Sequence, residues 1–236
     1  MRHLRTLVHD VWALLRAPTY ALLAIGLVLQ ALYWTLGSPG PTLAGAPRDL
    51  ATAAAAIGWS LVLLLALPLA ALWRVHGIPP WLRGGWGDAR FGGSVTVALG
   101  IVLALGMGIA TRSPELQATY PWAGEWPGAS ALHLLAWAGA YALYYVAYEF
   151  FYRGFLLRTA EAAWGTAAAI WLQTIASTLV HLGKPLPETM GAIAFGLVLG
   201  ALAVRSRSLA WPILLHLILG LATDVASLHH QGWLFP

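Results

Sequence analysis

In the stretch Tyr148-Glu149-Phe150-Phe151-Tyr152-Arg153-Gly154 an acid and a base stand four residues apart within an apolar, aromatic run. On a helix that spacing sets both on one face, about one turn apart, where a charge pair forms. A carboxylate and a guanidinium in a membrane helix face the protein interior and pair, and such residues mark function by default. Further along the chain two more polar residues interrupt apolar runs, His181 and His216, with Asp224 two turns past the second. Two imidazoles beside a buried carboxylate are the parts of a hydrolytic centre: the carboxylate takes a proton from water, and the imidazoles orient the water or steady an oxyanion. His181 and His216 with one carboxylate also form a chemically reasonable zinc set, although a glutamate spent as a ligand leaves no obvious base. The same residues admit a plainer reading, an ion pair and two hydrogen-bonded histidines that fix helix packing. Two function classes follow, an integral membrane endopeptidase and a catalytically silent binding or scaffold protein built on the same helices.

The elements that must position these groups are membrane helices. Of 236 residues, 59% are hydrophobic and 9% charged, with 13 Trp, against the roughly 25% charged residues of a soluble domain. There is no cysteine, which removes disulfides and thiolate chemistry. The net charge of +4 comes from 12 Arg and one Lys, a balance that reports cytoplasmic loop bias and gives no reason to expect nucleic acid as a partner. Seven runs approach the ~20 residues needed to cross a bilayer, at about 18–36, 50–73, 91–111, 130–158, 164–182, 190–204 and 208–228. The expected fold is therefore all-α, a polytopic transmembrane bundle of about seven spans. Residues 1–16 form an amphipathic interfacial segment, with Leu4, Leu7, Val8, Val11, Trp12 and Leu15 at helical spacing. Residues 17–129 read as scaffold helices, 130–228 as the catalytic core and 229–236 as a tail. The A-x-A pattern Ala44-Gly45-Ala46 lies too far beyond the first apolar run for an ordinary cleavage site, so that run reads as a retained anchor.

Loop charges set the orientation. With the N-terminus in the cytoplasm, Arg2, Arg5, Arg16, Arg74, Arg83, Arg90, Arg153, Arg158, Arg205 and Arg207 fall inside, and Arg48, Arg112 and Lys184 outside. Ten against three favours N-terminus in and C-terminus out. The loops at 74–90 and 112–129, rich in Gly, Pro and Trp, read as interfacial connectors without a site. Gly191, Gly196 and Gly200 give the sixth run a small-residue packing face. Depth is harder to reconcile: along straight helices at 1.5 Å per residue, Glu149 lies ~14 Å from its cytoplasmic end, His216 ~12 Å and His181 ~26 Å. They meet only if the fifth helix tilts or starts later, or if the fourth continues beyond Arg158.

The motifs resemble those of the CPBP family, the type II CAAX prenyl endopeptidases and bacteriocin-processing (Abi-like) enzymes, whose signatures E-E-x-x-x-R, F-x-x-x-H and H-x-x-x-N/D lie on different membrane helices. Tyr148-Glu149-Phe150-Phe151-Tyr152-Arg153 resembles the first, Ser177-Thr178-Leu179-Val180-His181 the second, and His216 the start of the third, in the family's order. The resemblance covers roughly residues 130–228. It implies an intramembrane protease in which Glu149, His181, His216 and Arg153 are catalytic and His181 and His216 hold a divalent metal if one is used. Tyr148 is read as a substrate contact, and Asp224 by its position either as one at the outer end of the site or as an exposed residue near the helix terminus. The implied partners are the lipid bilayer and a membrane-associated or exported peptide or protein. Three departures stand out: Tyr148 replaces the first glutamate, Ser177 the phenylalanine, and Gly220 the final Asn or Asp. The Arg-over-Lys, Ala/Gly/Leu-rich composition fits a GC-rich bacterium, so the expected location is a bacterial inner membrane.

Overall fold

The computed structural model describes residues 2–37, 48–77 and 85–236, all helix, turn and loop with no strand among them. The order is α1 (Arg2–Arg16), α2 (Pro18–Leu36), α3 (Leu50–Ser60), α4 (Leu67–His76), α5 (Ala89–Ala110), α6 (Pro114–Thr119), α7 (Ala131–Glu149), α8 (Leu157–Leu179), α9 (Leu186–Ser206) and α10 (Ala210–His230). Their starts follow from local chemistry. Asp49, Asp88 and Ser130 accept hydrogen bonds from the backbone N–H groups of Thr52, Phe91 and His133, and prolines stand in the first turns of α2, α6 and α9, where no intrahelical donor is lost.

Five stretches are long and apolar enough to cross a membrane: Pro18–Leu36, Leu50–His76, Ala89–Ala110, Leu186–Ser206 and Ala210–His230. Their large apolar side chains face outward, as with Leu27, Val102, Leu105 and Ile109, which is the surface a lipid solvent rewards. The chain is thus a multi-pass, all-α membrane protein. The two other expected crossings, α7 and α8, carry the tyrosines and the buried Gln173, Thr174 and Ser177 and lie at the centre. In α1, Val8, Val11 and Trp12 are exposed; the side chains of Leu4, Leu7 and Leu15 lie outside those described, as do Ala44-Gly45-Ala46 and residues 78–84.

Two π-helical segments interrupt the bundle. Leu61–Ala66 joins α3 to α4, just before Pro68, whose missing N–H cannot continue the α-helical ladder. Phe150–Leu156 joins α7 to α8, and every residue in it is buried. A π-turn inside a long helix is frequent at functional sites, and this one holds Arg153. The helix expected to end near Arg158 continues past it, and the chain reverses at Gly165, whose φ of 79° and ψ of 168° break α8 into two arms. Only glycine adopts that conformation freely. Glu149 and His181 are equally far in sequence from this break, so the returning arm brings His181 level with Glu149. That is one of the repairs the depth argument required.

The core ignores the boundary expected at residue 129. Leu22, Tyr33, Leu64, Trp122, Tyr148 and Phe151 belong to one buried cluster. Gly26 of α2 lies where a Cβ would stand 2.6 Å from Leu156, so α2 packs directly on the π-helical segment. Gly196 and Gly200 let α9 approach Thr174 and Gln173 of α8, and Gln173 Nε2 donates to the Gly196 carbonyl at 2.9 Å. The small-residue face of the sixth run is therefore a packing face, with Gly191 turned to a cavity instead.

Candidate active site

The π-helical junction fixes the charged pair. Arg153 Nη1 lies 3.2 Å from Glu149 Oε1, with both side chains buried. The same oxygen lies 2.6 Å from His216 Nδ1 on α10. An ionised carboxylate only accepts, so His216 donates from Nδ1 and Nε2 remains the unengaged nitrogen of the ring. That ring is packed among Tyr145 (4.3 Å between centroids), Tyr148 (5.2 Å) and Phe195 (5.2 Å).

His181 follows the C-terminal turn of α8. Its Nδ1 donates to the Ser177 carbonyl at 2.9 Å, and the Tyr148 hydroxyl donates to the same carbonyl at 3.2 Å. Thr189 Oγ1 donates to the His181 carbonyl at 2.7 Å and ties the turn to α9. His181, His216, Tyr148 and Arg153 all line one cavity of about 290 Å³ with largely apolar and aromatic walls. Of the expected catalytic residues, Glu149 alone does not line it: it is fully buried behind His216 and Arg153. Asp224 is not on the wall either. It is fully buried and accepts from Trp137 Nε1 at 2.7 Å, which takes it away from both the substrate-contact role and the exposed helix terminus expected for it.

Among the residues that the fold brings to the cavity beyond the expected site set are Glu188, Lys184, Tyr120, Trp122 and Tyr145. Glu188 of α9 has Oε1 3.9 Å from His181 Nε2. Lys184 Nζ donates to that oxygen at 2.9 Å and to Tyr120 Oη at 3.0 Å, and Tyr120 Oη itself donates to Glu188 Oε1 at 2.7 Å. Tyr120 and Trp122 come from the 112–129 loop, which corrects the expectation that this loop carries no site. Burial first, and then the charge of Glu188, hold the Tyr120 hydroxyl well above the ordinary tyrosine range, so it stays a donor. Tyr145 is another: a Cβ added at Gly220 would run into its hydroxyl, so the tyrosine occupies the space that a side chain at the third motif's last position would enter. A signal for Glu188 was present, an acid four residues after a lone Lys just past His181; for Tyr120 and Tyr145 no local pattern points to the site.

A metal held by His181 and His216 does not fit this donor set. Glu149 Oε1 is committed to His216 and Arg153, and no group of three His, Asp or Glu side chains placed to hold an ion occurs among the described residues.

Residues 130–222 match the family described as type II CAAX prenyl endopeptidase Rce1-like. The matched segment, less than half of the chain, holds the three motif positions and is similar to this protease family, in line with the motif order. No curated protein and no solved structure matches the chain.

Proposed function

We propose that the protein is an intramembrane endopeptidase that hydrolyses a peptide bond of a membrane-associated or exported peptide by attack of water, without a covalent intermediate. The observation that carries this reading is the convergence of His181, His216 and Arg153, from three separate motifs, on one apolar-walled cavity. Its aromatic and aliphatic walls suit an extended apolar peptide, and the few polar groups at its centre suit orientation of one bond. Glu149 works through His216: it fixes the ring and its tautomer from Nδ1, as a buried carboxylate does for a catalytic imidazole. His216 Nε2 and the cation of Arg153 then face the place where charge develops.

The cavity also takes Tyr120 and Trp122 from the loop after α5, and Lys184 and Pro187 from the turn before α9. Both segments fall on the side that the Arg and Lys count leaves outside. This supports cleavage in the outer half of a bacterial inner membrane, on a substrate tethered there or on its way out. The test compares peptide termini from membranes and medium of cells carrying the wild type, His181→Ala or His216→Ala at equal expression. A defined set of termini present only with the wild type is expected, and their neighbouring residues name the substrate. Three identical profiles would return the chain to the binding or scaffold class.

A further inference from the structure

Water attack at a peptide needs a carboxylate or imidazole within hydrogen-bond reach of the water. Position 148, where the motif that this stretch resembles has its first glutamate, is tyrosine, a donor at this site through its bond to the Ser177 carbonyl. Glu149 is no substitute by position. It does not line the cavity, and its Oε1 is taken by both Arg153 and His216.

Glu188 shares that pattern of engagement but differs in place. It lines the cavity in the first turn of α9. Lys184 and Tyr120 both engage Oε1, which holds the carboxylate in one orientation, while Oε2 is buried and has no hydrogen-bond partner. His181 spends Nδ1 on the Ser177 carbonyl, so Nε2 is an acceptor, and it stands 3.9 Å from Glu188 Oε1. One water at ~2.8 Å from each of two such acceptors gives a proton to both and turns a lone pair outward.

Resting on the peptidase reading above, we propose that Glu188 is the catalytic carboxylate that activates the hydrolytic water, in place of the acid that position 148 lacks. The water oxygen bonds to the carbonyl carbon while one of its protons passes to Glu188, and the C=O pair moves onto the carbonyl oxygen. Lys184, which has a third N–H beyond the two engaged by Tyr120 and Glu188, supplies a cation to that oxygen within the same cavity. When the C–N bond breaks, Glu188 returns its proton to the leaving nitrogen, the carbonyl re-forms, and the glutamate is again ionised.

The test uses the full-length protein in host membranes, with the cell's own peptide termini as probe, in strains carrying wild type, His216→Ala, Glu188→Gln or Glu188→Asp. Glu188→Gln keeps the volume and the contact with Lys184, and the expected result is a loss of wild-type-dependent termini of at least ~10²-fold. Glu188→Asp retains a carboxylate set back by one methylene and keeps a measurable fraction of the rate. Its activity still rises with pH along an acid limb, which the Gln variant lacks. If Glu188→Gln fails to accumulate as a folded protein, the pH limb of Glu188→Asp decides: a shifted limb supports the assignment, and an unshifted limb at wild-type rate overturns it. Loss of termini with His216→Ala but not with Glu188→Gln overturns the role of Glu188 and leaves the peptidase standing. No loss in any strain overturns both.

Discussion

At Glu149 a single carboxylate oxygen serves two partners, Arg153 and His216, while the other oxygen is buried with none. An ion pair in this setting is held by its geometry and is punished by removal of one member. Glu149→Ala leaves the Arg153 guanidinium buried without a counter-charge, and the expected cost is ~3–5 kcal/mol of stability, read as a lowered melting temperature in detergent. Glu149→Gln keeps the shape and an acceptor for His216, so it folds, yet it withdraws the charge that fixes the imidazole. Its cleavage falls by ~10²-fold or more through kcat with KM little changed. A melting temperature unchanged by Glu149→Ala would contradict the pairing. These residues were legible in the sequence because charge inside an apolar run is rare and because Glu149 and Arg153 are near neighbours on one helix. The pairing of Glu188 with Tyr120 was not, because 68 positions separate the two partners and no periodicity links a loop tyrosine to the first turn of a later helix.

At the scale of elements, catalytic alignment depends on how closely α9 lies on α8, since one carries Glu188 and the other leads into His181. Gly196 sets that distance. A Cβ there would stand 2.9 Å from Thr174 Cγ2 and 3.3 Å from its Cα, and backbone does not move aside cheaply. Gly196→Ala is therefore expected to lower stability by ~1–3 kcal/mol and to slow cleavage by shifting Glu188 against His181. Gly191→Ala, on the same helix with nothing within 4 Å of the added carbon, leaves stability unchanged. Thermal unfolding of both variants checks this, and equal melting points would remove the close approach as the cause. Helix existence was readable from composition and apolar run length. The continuation of the fourth helix through the π-helical segment to Gly165 was not, since a π-turn has no sequence signature and a glycine in a helical run is more often tolerated than a break.

At the scale of the whole molecule the loops gather at two ends. Arg48 Nη1 donates to the Gln117 and Tyr120 carbonyls, Lys184 reaches Tyr120, and Phe235 N–H donates to the Gly128 carbonyl, so four connecting segments meet at one end. At the other, Asp88 N–H donates to the Ser206 carbonyl, Ser208 to that of Gly85, and Trp211 to that of Trp86. The grouping is the one expected of the seven alternating crossings read from the sequence; five stretches among the described residues are long and apolar enough to cross. One charge must be removed from the orientation count: Arg153 is buried beside Glu149 and lies in no loop, which leaves nine cations against three. In the proposed orientation the end containing Arg74, Arg90, Arg205 and Arg207 is cytoplasmic, because translocating short loops rich in Arg is unfavourable. On that proposal the end built around Tyr120, where the cavity takes its loop residues, faces outward together with the C-terminus. A periplasmically active reporter fused after Pro236 is expected to be active, and the same reporter inserted after Arg207 inactive. Activity in the reverse pattern would turn the molecule over, place the cavity nearer the cytoplasmic face and change the class of substrate that can reach it.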